Sequence, residues 1–359
     1  MGITVIIQQP GLLTTIQDQG RHDYLSSALS RGGAQDAAAL EIANQLVGNS
    51  PTAAGLEITG LGPTLFFNQP VCISCAGAPV QATVRASNGQ SCSLPLGRPV
   101  VISAGSTVQF SNFLRGFRAW VAFAGGIDSP VVLGSCSSHL AAEIGPPRLV
   151  ANTTITLGLT AQSQTEKLCG LLRKKYPNYR ENKEPDTACI SLPCSISNHI
   201  LTQWPVLTIP VVPGRHFECL SKVEREKLLT QEWRVDARSN RQGLALEGVP
   251  IQGSKISPIL SEPVRFGTVQ LPPGGKPFVL MAEHQTTGGY PRVLEVVSAG
   301  RPLLAQAGPE SRLKFVMMDA VGIQQLVAKR RRDLSLTRYA ISNLLGPPDF
   351  DTFERKWLI

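Results

Sequence analysis

Hydrogen-bonding side chains crowd around a glycine pair in the second half of the chain. Residues 282–291 are Ala-Glu-His-Gln-Thr-Thr-Gly-Gly-Tyr-Pro and follow the apolar run Pro277–Met281. Glycine permits both positive φ and close backbone approach, so a strand ending in this turn can present many polar groups to one ligand. Gly-Gly also marks ordinary hairpins, and the residues alone leave both interpretations open. The groups concerned are Gln285, Thr286, Thr287, Gly288, Gly289 and Tyr290.

Common self-contained catalytic motifs are absent from the sequence. There is no complete phosphate-binding loop, dinucleotide fingerprint or Gly-x-Ser-x-Gly elbow. Five histidines are scattered without metal-ligand spacing. Cys72 and Cys75 lie on a predicted strand, where positions three apart face opposite sides, so we expect buried thiols and no metal site. An enzyme with this sequence needs a partner or a family-specific site.

Composition favours a turn-rich β protein of two or three domains. The chain has 359 residues, of which 42% are apolar, and it contains 33 Gly and 27 Pro. The net charge of +8 is concentrated in the runs 173–175 and 329–332, which lack interleaved aromatics and predict a solvated surface rather than a nucleic-acid site. Neither a signal peptide nor an apolar run of roughly 20 residues is present. We therefore expect a cytoplasmic protein without a membrane segment and with reduced thiols.

Strand signals recur every eight to twelve residues between turn residues, which is typical of a β-barrel or sandwich. The predicted strands of the first half are 3–9, 56–59, 64–67, 71–76, 80–86, 100–103, 107–110 and 118–124. Helices are predicted over Gln35–Val47, with Asp36 capping its first turn, and over Ser221–Glu232, with Ser221 and Glu224 as a capping box. Thr14–Arg21 is predicted to be a polar loop.

The charged stretch 162–203 divides two β-rich regions of similar length. We predict an N-terminal β module over 1–161, a charged linker or insertion over 162–203, a C-terminal β module over 204–318 and a basic helical tail over 319–359.

Several blocks resemble the KipA-like proteins, which are also known as the C component of 5-oxoprolinase or as allophanate hydrolase subunit 2. The blocks occur in family order from about residue 10 to residue 316. They are Gly11–Arg21, Ala43–Asn49, Leu56–Thr59, Ala124–Asp128, Leu133–Ser137, Ser239–Arg241 and Gln285–Arg292.

The resemblance implies a mainly β fold of two cyclophilin-like β-barrel modules, related to the carboxyltransferase domain of biotin-dependent urea carboxylase. It also implies the role of the C component of an ATP-dependent 5-oxoprolinase, which cleaves 5-oxo-L-proline to L-glutamate together with an A component and a KipI-like B component. ATP would be shared with one of these partners. Two alternatives are a carboxyltransferase component, with biotin on a separate carrier, and a KipA-type regulator that binds a KipI-like histidine-kinase inhibitor.

Lactam activation needs donors that stabilise a developing oxyanion and phosphoryl charge, and the family blocks supply candidates. Arg241 is suited to clamp a carboxylate or phosphate. Asp18, Asp36 and Glu283 are candidate bases or metal ligands, which the sequence does not distinguish. The full candidate set is Arg241, Asn240, Thr287, Tyr290 and Asp36 as catalytic residues, and Gln285, Thr286, Gly288, Gly289, Asp18 and Arg21 as substrate-binding residues.

The chain departs from the family pattern in turns that are expected to line the site. Gln242–Ala245 replaces a Met-Gly-Tyr-Arg segment, Arg215 follows Pro213-Gly214 in place of a proline, and Glu262-Pro263 replaces glycines. These changes bear on which substrate the site accepts.

Overall fold

The computed structural model describes residues 2–175, 189–191, 195–196, 206–252 and 259–345, and strands dominate them. The predicted mainly β fold is confirmed. The helices are α1 (Ala37–Leu46), α2 (Ala161–Lys175), α3 (Lys222–Thr230), α4 (Arg301–Ala305) and α5 (Ala320–Leu345), and single 3₁₀ turns cover Leu25–Ser27, Phe217–Cys219 and Ser298–Gly300.

The N-terminal module consists of two antiparallel sheets that share one core. Their strand orders are β11-β12-β1-β4-β9-β6-β7 and β13-β8-β5-β10-β3-β2, and Val5, Ile7, Leu56 and Val71 from both sheets are fully buried together. The strands are β1 (Thr4–Gln9), β2 (Leu13–Gln17), β3 (Gly55–Thr59), β4 (Thr64–Phe67), β5 (Val71–Gly77), β6 (Val80–Arg85), β7 (Ser91–Ser93), β8 (Val100–Ile102), β9 (Ser106–Phe113), β10 (Arg118–Phe123), β11 (Ile127–Asp128), β12 (Thr153–Leu157) and β13 (Cys189–Ser191).

Hydrophobic alternation explains which strands are covered on one face and which on both. In β6 every second residue is buried and the others are exposed, as expected for a half-covered strand. All six residues of β10 are buried, because α1 packs on its second face through Leu40 and Trp120. The predicted polar loop at Thr14–Arg21 is wrong in its first half, where β2 pairs with β3 from Leu13 to Gln17.

The two cysteines of the Cys-x-x-Cys sequence occupy opposite faces of β5, as predicted. Cys75 belongs to the core between the sheets, whereas Cys72 packs beneath α2 with Leu168 and Leu172. Burial raises the pKa of both thiols, that of Cys75 to about 12. They are therefore inert thiols that pack as small apolar side chains.

The second half of the described chain closes a seven-stranded barrel, which we call the barrel module. Its order is β14-β21-β18-β19-β16-β15-β22, and β14 and β22 run parallel. Trp233, Val269, Leu294 and Phe315 are among its buried core residues. The strands are β14 (Val206–Pro213), β15 (Trp233–Val235), β16 (Gly243–Glu247), β18 (Thr268–Gln270), β19 (Phe278–Leu280), β21 (Arg292–Val296) and β22 (Arg312–Met317), with β17 (Glu262–Pro263) and β20 (Thr287–Gly288) forming a separate two-stranded ladder.

Helix α3 begins at the predicted cap but without the predicted reciprocal contact. The Ser221 hydroxyl accepts a hydrogen bond from the Glu224 amide. The Glu224 carboxylate instead accepts from the amide of Gln252. Glu224 therefore ties the helix to a neighbouring loop rather than completing a capping box.

The long helix α5 follows the barrel and lies against α1. Arg338 donates to both carboxylate oxygens of Glu41, at 2.6 and 3.0 Å, and Arg330 lies 3.9 Å from Asp36. Among its side chains Ile341 is buried. Within the described residues no helix combines the length and apolar character needed to cross a membrane.

Asp36 caps α1 as predicted, since its carboxylate accepts hydrogen bonds from the amides of Ala38 and Ala39. Replacing Asp36 with Ala should lower the free energy of unfolding by about 1 kcal/mol. Asp36→Asn should lower it less, because an asparagine oxygen still accepts these bonds. Urea denaturation of both variants measures the difference. Equal losses would contradict a capping role.

Candidate functional site

Arg241 carries a buried positive charge from the barrel module into the N-terminal module. Its guanidinium is 3% exposed and bonds the carboxylates of Glu57 and Glu283, the latter at 2.5 Å. A third bond runs from Nη2 to the carbonyl of Gly33 at 2.6 Å. Every nitrogen of the guanidinium is thus engaged.

The two carboxylates that hold Arg241 are themselves bonded by groups of the N-terminal module. Glu57 on β3 accepts hydrogen bonds from the indole of Trp120 at 3.1 Å and from the amide of Gln35 at 2.8 Å. Glu283, in the barrel module, accepts from the amide of Ala141 at 3.1 Å. Such additional bonds are what a buried ion pair needs to offset its desolvation.

Arg241, Glu57 and Glu283 lie where the two modules meet, and we call this cluster, together with Arg118, the junction. Arg118 balances its charge. Its Nε lies 3.8 Å from Glu57, and its Nη1 donates to the carbonyl of Ala305 at 2.7 Å. Burial lowers the pKa of Arg118 to about 10, although Glu57 opposes the shift. Burial alone would also lower the pKa of Arg241, but Glu57 and Glu283 together raise it above its ordinary value. Two arginines therefore face two glutamates, and both arginines keep their protons.

Asp18, a predicted substrate-binding residue, organises the loop at 135–139. Its Oδ1 accepts from the hydroxyls of Ser135 at 2.6 Å and Ser137 at 2.5 Å, and from the amide of Gly20 at 2.7 Å. Its Oδ2 accepts from the amide of Cys136 at 2.6 Å. With four donors around it, Asp18 positions this loop and has little capacity left to act as a base.

Arg21, which is also predicted to bind substrate, is 1% exposed, and its guanidinium is incompletely hydrogen-bonded. Its Nη2 donates to the carbonyl of Ser137 at 2.7 Å, while Nε and Nη1 lack a hydrogen-bond partner among the described residues. Burial lowers its pKa, and Asp18, Cys136 and Glu283 oppose that shift. An unpartnered buried donor is costly unless water or a ligand completes it.

Ser30, His139 and Glu283 resemble a catalytic triad in composition but not in hydrogen bonding. Nε2 of His139 lies 2.9 Å from the Ser30 hydroxyl. Nδ1 accepts a hydrogen bond from the amide of Ala142 and lies 3.8 Å from Glu283. Because Nδ1 is the acceptor, Nε2 carries the proton and donates to Ser30. Burial lowers the pKa of His139, and in this tautomer the imidazole cannot deprotonate Ser30.

A cluster of arginines lies where the modules meet, near His284. The Arg301 guanidinium stacks over Phe266 with its carbon 5.3 Å from the ring centre. Burial lowers the pKa of Arg301, and the charges of Arg265 and Arg31 lower it further. Its Nε has no hydrogen-bond partner among the described residues. This concentration of positive charge favours an anionic ligand.

An open cleft of about 360 Å³ on the barrel module shares Arg265 with that cluster. We call it the arginine cleft. It is lined by Pro213, Gly214, Arg215, Pro263, Val264, Arg265, Arg292 and Glu295. Arg215 and Arg292 both contact Glu262, at 2.7 and 3.0 Å, and Arg265 lies 3.1 Å from Glu295.

The glycine turn at residues 285–291 lies beside the arginine cleft. Thr287 pairs with Pro263 in the β17–β20 ladder, and the side chains of Thr287 and Tyr290 reach solvent. A Cβ on Gly288 would lie 2.3 Å from the Gln270 amide nitrogen, whereas neither Gly288 nor Gly289 has positive φ. Gly288 therefore packs closely against the Gln270 side chain, and neither glycine adopts the positive φ that glycine permits.

The remaining predicted residues have local partners. Gln285 donates to the side-chain oxygen of Gln270 at 3.0 Å, and the carbonyl of Thr286 accepts from Val264. The side-chain oxygen of Asn240 accepts from the amide of Gln242 at 2.8 Å, which shapes the turn next to Arg241. Asp36 lies at the start of α1 beneath α5 rather than among the junction bonds, and burial raises its pKa.

Sequence reasoning missed several residues of the junction. Arg118, His139, Arg31, Arg265 and Arg301 carry no recognisable spacing, but Glu57 has a signal. It is a charged residue inside an otherwise apolar strand, and a buried carboxylate requires a partner. Across the described ranges no three His, Cys, Asp or Glu side chains converge as a metal site would require.

Removing the cation at 241 should leave two buried carboxylates uncompensated. We expect Arg241→Met to lower the free energy of unfolding by about 3–5 kcal/mol, measured by urea denaturation. Arg234→Met is the control, because Arg234 pairs with Glu310 on the surface and such pairs contribute about 0–1 kcal/mol. If both variants lose the same small amount, the junction network does not stabilise the fold.

Comparison with known proteins identifies relatives that match most of this chain. Residues 27–317 match the family model described as "Carboxyltransferase domain, subdomain A and B". The chain is 30% identical to the C component of the 5-oxoprolinase of Escherichia coli over 313 residues, which is 86% of this chain and 90% of that protein. It is 27% identical to the Haemophilus influenzae protein of the same name over 325 residues, 89% and 92% of the two chains.

A solved structure shares the fold at lower identity. The urea amidolyase of K. lactis superposes with a TM-score of 0.76 and 21% identity, covering 94% of this chain. The chain spans only 20% of the length of that protein, so the likeness concerns one region of a much larger molecule.

Proposed function

Since the chain belongs to the carboxyltransferase domain family, subdomain A and B, we propose that it is the C component of an ATP-dependent 5-oxoprolinase. In this proposal it acts with an A component and a KipI-like B component to open the lactam of 5-oxo-L-proline to L-glutamate. The observation that best supports this proposal is the similarity to the C component of the E. coli 5-oxoprolinase over 90% of that protein's length.

The arginine cleft is our candidate for the substrate site. 5-Oxoproline presents one carboxylate beside a lactam amide, and arginine pairs with carboxylates through short charge-assisted bonds. Three arginines of the cleft, Arg215, Arg265 and Arg292, face two glutamates, Glu262 and Glu295. One positive charge is thus left for a ligand.

The exposure of these arginines supports exchange of partners. The side chains of Arg215 and Arg265 are 68% and 66% exposed, and exposed ion pairs contribute little free energy. A substrate carboxylate can replace a glutamate there at low cost. The hydroxyl of Thr287, on the ladder that borders the cleft, is then available to the lactam.

The cleft does not fit a nucleotide. Its volume of about 360 Å³ is small, and its apolar lining is limited to Pro213, Pro263 and Val264, which offer no broad surface for an adenine ring. The candidate acids Asp18 and Glu283 are occupied by hydrogen bonds or ion pairs. We therefore place ATP binding and proton transfer largely with the partner proteins.

Reconstitution tests the dependence on partners. The purified chain should show no 5-oxoproline-dependent ATP hydrolysis, measured as phosphate and glutamate release, and should gain it when the A and B components are added. Those two components without the chain are the control and should be inactive. Rapid turnover by the isolated chain would refute the partner requirement.

Arg265→Gln tests the location of the substrate site in the reconstituted complex. We expect KM for 5-oxoproline to rise roughly two- to fivefold, because an exposed charge pair contributes about 0.5–1 kcal/mol, while kcat changes much less. Arg234→Gln is the matched control, because it removes an exposed, ion-paired arginine outside the cleft. An unchanged KM in Arg265→Gln would place the carboxylate elsewhere.

A carboxyltransferase role is the second candidate, favoured by the family description and by the fold shared with urea amidolyase. In that role biotin on a separate carrier would deliver the carboxyl group. Addition of avidin distinguishes the two, since it would block carboxyl transfer and leave 5-oxoproline hydrolysis unaffected.

A further inference from the structure

Two cysteines far apart in sequence meet at the surface of the N-terminal module. The Sγ atoms of Cys92 and Cys189 are 3.3 Å apart, and 97 positions separate the residues. Both are free thiols of intermediate burial, and both pack on the edge of the core between the sheets. Neither contributes to the junction or to the arginine cleft.

Their strands are the terminal strands of two different sheets. Cys92 lies on β7, which pairs with β6 at the end of one sheet, and Cys189 lies on β13, which pairs with β8 at the end of the other. The strand β13 belongs to the stretch that the sequence predicts as a charged insertion. A covalent bond here would link the end strand of one sheet to the end strand of the other.

We propose that Cys92 and Cys189 form a reversible disulfide when the protein meets a peroxide. A disulfide has an S–S distance of about 2.05 Å, so the sulfur atoms must approach by roughly 1.2 Å from their separation of 3.3 Å. A small movement of two strands, each at the end of its sheet, achieves this approach.

The chemistry proceeds in two displacement steps. Burial, together with the hydrogen bond to Cys92, raises the pKa of Cys189, and we assign the first step to Cys92 and the second to Cys189. The Cys92 thiolate attacks the peroxide, an S–O bond forms, the O–O bond breaks, and a sulfenic acid and water result. The Cys189 sulfur then displaces hydroxide, which leaves as water with the thiol proton. Two thiols lose two electrons, and the peroxide gains them.

The chain beyond Cys189 also lines a second cleft. Beyond β13, the amide of Ile196 donates to the carbonyl of Gly97 at 2.9 Å. Ser195 and Ile196 line a cleft of about 750 Å³ between the N-terminal module and α5. Oxidation would therefore anchor the strand that precedes this part of the cleft wall.

Treatment of the full chain with hydrogen peroxide tests the proposal. Intact mass should fall by two hydrogen atoms, and alkylation should show two fewer free thiols. The melting temperature should rise by roughly 5 °C or more, because the bond closes a long loop. Dithiothreitol should reverse both changes.

Variants identify the pair. No Lys or Arg separates Cys189 from Cys194, so a tryptic peptide alone cannot tell them apart. C92S and C189S should each abolish the crosslink, whereas C194S and C219S, the latter at an exposed thiol, should retain it. A crosslink that survives C189S, thiols that all stay free, or a crosslink without a change in melting temperature would each overturn the proposal.

Discussion

The structure depends on one buried cation held by two buried carboxylates. Arg241 belongs to the barrel module, Glu57 belongs to a strand of the N-terminal module, and Glu283 belongs to the barrel loop that contacts Ala141 across the junction. Removing charges from water costs several kcal/mol per ion, and only a complete set of partners offsets it. Either module alone would expose an unsatisfied charge pattern. The ion pairs therefore determine how the two modules are oriented, and their net contribution to the free energy of association is small.

This constraint divides the charged residues into two classes with different tasks. At the junction, the guanidinium of Arg241 and the carboxylates of Glu57 and Glu283 bond one another. A substrate would have to break a buried ion pair to reach any of them. In the arginine cleft, Arg215 and Arg265 are mostly exposed, so their ion pairs are weak and exchangeable. The buried junction thus supports a surface whose charged groups can exchange partners, and the proposed substrate site lies on that surface.

Local sequence predicted the elements well because their determinants are local. The turn spacing predicted strands such as Thr64–Phe67 at their observed limits, and Asp36 and Ser221 cap their helices as predicted. The site was only partly predictable. Arg241 and Glu57 are 184 positions apart, and no periodicity links residues that meet through tertiary packing. The sequence identified Arg241 as a candidate, whereas its partner Glu57 became apparent only in the fold.

The acidic side chains of the candidate site are already engaged in hydrogen bonds and ion pairs, which agrees with the lack of a self-contained catalytic motif in the sequence. A general base needs an oxygen or nitrogen that is free to accept a proton from the substrate. Asp18 has four donors around it, Glu283 holds Arg241, and Nδ1 of His139 is engaged by the backbone. Around the arginine cleft, the exposed groups include the side chains of Arg215 and Arg265 and the hydroxyl-bearing side chains of Thr287 and Tyr290. Such a surface is suited to bind and orient an anionic ligand, and in the function proposed above a partner protein provides the proton-transfer groups.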